Sequence, residues 1–178
     1  MGLNELTLEE KRSAIMNVLL IMVADGQYTQ EELIFVFDVV AKRIGANKED
    51  AVDIIKNFQK CKYVIPTSVE ERRCQLLDMI TVMSIDRNIR EQEKDACIHI
   101  ARVMGFNPLK VSEIIAKAEH SISKGRVLED IALEAKEAVL SESTEKAERS
   151  ISEECDIKNI IIGMKEAIWK APRCMTLS

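Results

Sequence analysis

Residues 19–45 read LLIMVADGQYTQEELIFVFDVVAKRIG, and residues 80–105 read ITVMSIDRNIREQEKDACIHIARVMG. Each stretch opens on an apolar run that ends in an aspartate, Asp25 or Asp86. Each places a glutamate seven residues later, Glu32 or Glu93. Each closes a helical stretch on a glycine, Gly45 or Gly105. The agreement continues past the glycines, with Asn47 matching Asn107 and Ile54-Ile55 matching Ile114-Ile115. The copies lie 60 to 61 positions apart throughout. Self-similarity at a fixed period marks a duplicated supersecondary unit. Two copies are too few for a solenoid and predict a pseudo-twofold domain.

Working outward, the helix starts are signalled by capping boxes, in which a side-chain acceptor precedes a carboxylate by three residues. Thr7 with Glu10 opens a predicted helix over 8–24. Its second half, Ile15 to Val23, is apolar almost all round, as in a helix enclosed by others. Thr29 with Glu32 opens the second helix, with Leu33, Phe37, Val40 and Ile44 as the inward stripe and Gly45 as the stop. Asn47 caps a third over 48–61, with Val52, Ile55 and Phe58 inward. Pro66 marks the hinge between copies. Ser68 with Glu71 opens a fourth helix over 69–85, again apolar on most faces. A fifth covers 90–104. Asn107 and Pro108 form an N-cap and N1 pair that starts the sixth, running to His120. Beyond it the repeat is absent. Residues 127–140 and 145–170 read as two more helices, the last carrying a stripe of Ile151, Ile157, Ile160, Ile161, Met164 and Ile168.

The predicted architecture is therefore all-α, a pseudo-twofold bundle of two three-helix repeats with a C-terminal helical extension. The repeats occupy about 8–61 and 68–120 of a domain spanning 1–120, and the extension spans 121–178.

Bulk properties narrow the function. A chain of 178 residues, 47% hydrophobic and 31% charged, with 4% aromatics, is an ordinary helix-rich globular composition. The net charge of −5 argues against a nucleic-acid groove, which needs a basic face to release counterions. The longest apolar run, Val18 to Ala24, is far below the roughly 20 residues of a membrane span. The opening MGLNELTLEEKR is acidic and polar, unlike a signal peptide. Five cysteines without a CxxC pair read as reduced thiols, and the cytoplasm is the expected setting.

The pattern of apolar helix, Asp-Gly, capping Thr, Glu, amphipathic helix and Gly resembles the tellurite-resistance TerB-like family. The same pattern occurs in the N-terminal domain of DjlA-type co-chaperones. The residues that carry it are Ala24-Asp25-Gly26-Gln27-Tyr28-Thr29-Gln30-Glu31-Glu32-Leu33 with Ala41 to Ala46. In the second copy they are Ile85 to Glu93 with Ala101 to Gly105. The resemblance covers about residues 8–120. It implies a compact helical bundle and, for some members, divalent metal held by the loop acids. Carried over by position, those acids are Asp25, Glu32, Asp86 and Glu93, and the candidate cofactor is a divalent cation of the Ca2+ or Mg2+ class. Copy two departs from the pattern at Arg87, which stands where the loop glycine should be and adds a positive charge beside Asp86.

Elementary chemistry leaves two readings of these acids. Hard cations take carboxylate and carbonyl oxygens, and four carboxylates would suffice if the loops meet. Alternatively, Asp25-Gly26 is a turn pair and Glu32 a capping residue. No nucleophile motif, phosphate-binding glycine loop or zinc spacing occurs; the TerB-like resemblance then implies a non-enzymatic stress-response or scaffold module, which is the leading expectation. The alternative is a pure protein–protein adaptor. In both, the C-terminal stripe with Ile160, Met164, Ile168 and Trp169 is the candidate partner-binding face. A protein partner is expected; a homodimer and a peripheral membrane contact through a partner stay open.

Overall fold

The computed structural model describes residues 6–57 and 60–142. These form seven helices, and the described residues contain no strand. Helix α1 spans Leu8–Met22, α3 spans Lys48–Lys56, α4 spans Val69–Ser84, α5 spans Glu91–Val103, α6 spans Pro108–Ser123 and α7 spans Leu128–Ser141. Between α1 and α3, helix α2 runs from Gln30 to Arg43. It is α-helical over Gln30–Phe35, π-helical over Val36–Val40 and α-helical again over Ala41–Arg43. The predicted eighth helix, with Ile160, Met164, Ile168 and Trp169, lies outside the described residues.

The expected caps are in place. Thr7, Thr29, Asn47 and Ser68 each accept from the backbone N–H three residues on, and Asn107 accepts from Leu109. The helix stops repeat one device. Gly45 and Gly105 take positive φ (68° and 91°), and in both the following N–H bonds back five residues, Ala46 to the Ala41 carbonyl and Phe106 to that of Ala101. Both are Schellman closures, in which glycine meets the left-handed geometry without a Cβ penalty.

Helices α1 and α4 are the buried centre. Ser13 to Met22 are buried without a break on α1, and Leu76, Met79, Ile80, Val82 and Met83 are buried on α4. The all-round apolar reading of both helices is thus explained: α1 is flanked by α3, α4 and α5, and α4 by α5, α6 and α7. A polar seam crosses this centre. Asn17 donates to Gln75 at 2.7 Å, Gln75 donates to Glu71 at 3.0 Å, and Arg43 of α2 donates to Glu71 at 2.9 Å and to Asp78 at 2.6 Å.

Several details differ from the sequence expectation. Helix α3 ends at Lys56 rather than near Cys61, and it buries Ala51 and Ile54 while Val52 and Ile55 of the predicted stripe are half-buried. Helix α1 ends at Met22 rather than near Ala24, because Val23 leaves the helical region to begin the Asp25 turn. On α2 the buried apolar residues are Val36, Val40 and Ala41, joined by Ile44 just past its end, while Leu33 and Phe37 of the predicted stripe are only half-buried. Phe37 lies within the π turn, where winding with i→i+5 bonds adds a residue to the turn and shifts which side chains face inward. The interval from Glu32 to Gly45 is one residue longer than that from Glu93 to Gly105, and the π turn lies inside it.

The two aspartate loops also share a backbone feature. Gly26 has φ 80° and Arg87, at the matching position, has φ 62°. Arg87 is the one described non-glycine residue with positive φ, a region that strains L side chains. Replacing it with glycine should relieve that strain. We expect Arg87→Gly to raise stability by about 0.5–1 kcal/mol, net of the added chain entropy, read as a higher urea midpoint. A lower midpoint would show that the guanidinium bond of Arg87 to the Arg126 carbonyl matters more than the strain.

Candidate functional site

The loops after α1 and α4 are built alike. Asp25 Oδ1 accepts from the Gln27 N–H at 2.9 Å, and Asp86 Oδ1 accepts from the Asn88 N–H at 3.0 Å. Both are Asx turns, in which the carboxylate substitutes for a backbone acceptor. At the starts of the next helices, Glu32 Oε2 accepts from the Thr29 N–H at 2.6 Å and Glu93 Oε2 from the Arg90 N–H at 2.8 Å. Thr29 completes its capping box through Oγ1, which accepts from the Glu32 N–H. Arg90 cannot do so, because a guanidinium has no acceptor.

The two loops meet, and Arg90 is where they meet. Its Nε lies 2.9 Å from Asp25 Oδ2, and its Nη1 lies 2.8 Å from Asp86 Oδ2. The same Nη1 is 4.0 Å from Glu93 Oε1. Each aspartate therefore uses one oxygen for its own loop and the other for Arg90. Thus one side chain joins acids 61 positions apart in sequence.

Electrostatics tie all four acids together. Glu32 and Glu93 are only 2% and 1% exposed. Burial pushes the Glu32 carboxyl above its ordinary value; the Thr29 N–H bond opposes this and the Asp86 charge adds to it. Burial likewise pushes Glu93 up to about 7, against the Arg90 N–H bond and charge, with Asp25 and Asp86 adding to the rise. Each capping glutamate thus feels the aspartate of the other loop. Arg90 is held firmly protonated: burial opposes its charge, but the bond to Asp86 and the charges of Asp86, Asp25 and Glu93 outweigh it.

The sequence-predicted acids Asp25, Glu32, Asp86 and Glu93 accordingly share one junction. They do not form a ready cation cage: among the described residues, no three His, Cys, Asp or Glu side chains are placed to hold a metal ion. The cationic centre between Asp25 and Asp86 is the Arg90 guanidinium. Arg87, the residue that broke the loop pattern, turns away from this junction and donates to the Arg126 carbonyl at 2.7 Å. The functional residue that sequence reasoning missed is Arg90. Its signal was its position, since it occupies the N-cap site that Thr29 fills in copy one and is a poor residue for capping.

Outward, several large apolar side chains stay in solvent. Leu133 and Leu140 stand seven apart on α7, and Ile34 and Val39 lie on α2. Cys61, Cys74 and Cys97 are free thiols. No described helix is long and apolar enough to cross a membrane. The chain matches no protein-family model, no curated protein and no solved structure.

Proposed function

We propose that this chain is a non-enzymatic scaffold module of TerB-like type, in which two three-helix repeats are locked together at their loops and present apolar faces to protein partners. The observation that carries it is the junction itself. Asp25, Glu32, Asp86 and Glu93 are all engaged in turns, caps and one arginine, which is what a structural tie requires. The repeat reading draws support from the paired Asx turns, the paired Schellman closures and the positive φ at both Gly26 and Arg87. It also accounts for the change in period from 61 to 60: copy one holds one extra residue, and α2 winds through a π turn where it is accommodated. Leu133 and Leu140, on the helix that leads toward the C-terminal stripe, support a protein partner over a nucleic acid. The expected setting is the cytoplasm.

A second reading has one observation in its favour. Three carboxylates, Asp25, Asp86 and Glu93, lie within 4.0 Å of one guanidinium, so the junction carries surplus negative charge, and a divalent cation of the Ca2+ or Mg2+ class would relieve it. It would have to displace Arg90 to reach both aspartates.

Melting curves on chelator-stripped protein separate the two. Added at millimolar Ca2+, Mg2+, Mn2+ or Zn2+, an ion at ~100 times its dissociation constant would add about 2.7 kcal/mol, a rise of roughly 5–10 °C for a chain of this size. We expect no such rise. A rise that disappears in Asp25→Asn would replace the scaffold reading with the cation-loaded one.

A further inference from the structure

We propose that Arg90 is the resident cation of the loop junction: its guanidinium stands where a divalent ion would have to stand between Asp25 and Asp86, so the native chain joins its loops without metal. The inference rests on the scaffold reading above and deepens it. It is carried by where the guanidinium lies: Nη1 donates to Asp86, and Nε is ion-paired with Asp25. A guanidinium is planar and presents several N–H donors in a fixed fork. Here Nε serves the first loop and Nη1 the second, at 2.9 and 2.8 Å. A lysine ammonium at the end of a flexible stem has no such pair of fixed directions.

The position of the arginine sharpens the argument. Arg90 aligns with Thr29, so the second helix of copy two has given up the hydroxyl that caps α2. The arginine therefore does nothing for its own helix that threonine would not do better. What it adds is a charge shared by both loops. Two of the acids are nearly sealed from solvent, and buried carboxylates without a counter-charge are costly. A side chain that stays protonated at every physiological pH supplies that charge permanently and independently of ion supply. The junction would thus have exchanged a dissociable cation for a covalently attached one.

The test is made on the full chain, stripped with chelator, in three forms: native, Arg90→Thr and Arg90→Lys. Arg90→Thr restores the cap of copy one and empties the space between the aspartates. Thermal melts are recorded in chelator and in millimolar Ca2+ or Mg2+, and binding of the ions alone is followed by calorimetry. The native protein should melt at the same temperature with and without ion. Arg90→Thr should melt lower in chelator and recover by roughly 5–10 °C at saturating ion, with heat of binding that the native protein lacks. Folding of Arg90→Thr only when ion is present would be the same result in stronger form. Arg90→Lys keeps the charge, so it should stay folded, fall between the two in chelator and respond weakly to ion.

Three outcomes would overturn the proposal: Arg90→Thr as stable as native in chelator, Arg90→Thr destabilised or unfolded and not recovered by any ion, or Arg90→Lys no more stable in chelator than Arg90→Thr. A cation response already present in the native protein would instead remove the scaffold reading on which the proposal stands.

Discussion

Leu76→Ala should lower stability by about 3–4 kcal/mol, within the range for large-to-small changes at sealed sites. Leu76 is fully buried on α4, the helix that contacts α1 on one side and α7 on another. The loss combines two terms: removed apolar contact and a cavity that the surroundings only partly fill. Here the surroundings have little room to move, because α1 and α4 are held in register by the Asn17–Gln75 bond. A drop of roughly 6–16 °C in melting temperature should accompany it for a chain of this size. Urea denaturation with an unchanged slope would confirm that the native packing was weakened. A loss below ~1 kcal/mol would mean that the α1–α4 interface repacks freely, and the polar seam would not be fixing it.

The second large effect is expected at Arg43, which ties α2 to α4 through Glu71 and Asp78. Removing it as Arg43→Ala leaves Asp78, 7% exposed, without its partner. Losing one member of a buried pair costs about 3–5 kcal/mol. The Arg43 side chain is 27% exposed, so the lower end, about 3 kcal/mol at pH 7.5, is the expected value. The cost should depend on pH. Burial pushes the Asp78 carboxyl from its ordinary 3.8 to about 6, although the Arg43 charge and hydrogen bond pull it down and Glu71 pushes it up. Between those two values the folded chain holds a proton that the unfolded chain releases. The stability Asp78 contributes in this way is fully present below about 4 and is lost as pH rises through 6. Without Arg43 the folded value rises further, so the variant should be closest to native near pH 5 and fall away toward pH 7.5. Urea midpoints at the two pH values measure this directly. A penalty that is equal at both would show that Asp78 stays ionised and solvated after the arginine is gone.

Much of the fold was legible because its signals are local. Thr7, Thr29, Asn47, Ser68 and Asn107 announce helix starts through side chains that reach only two or three residues. Gly45 and Gly105 announce stops through a backbone angle that other residues adopt at a cost. The recurring sequence pattern, Asp25 to Gly45 and Asp86 to Gly105, made the two aspartate loops recognisable as alike. The π turn in α2 was not legible, since i→i+5 winding has no side-chain signature; its trace was the one-residue change in period. Nor was the meeting of the acids at Arg90 legible. That contact joins residues far apart in sequence, and periodicity carries no information about which loops the packing brings together. Arg43 with Asp78 and Asn17 with Gln75 were missed for the same reason.

The wider turn in α2 has a consequence for how such a chain can change over time. A residue added to a regular helix rotates everything after it by about 100°, which would swing a closing glycine and the next helix out of place. Winding the addition into a single broad turn confines the disturbance to five residues, Val36–Val40. The loop before it and the stop after it keep their local geometry. A helix can therefore alter its length while the loop before it, the stop after it and the Arg90 tie stay as they were.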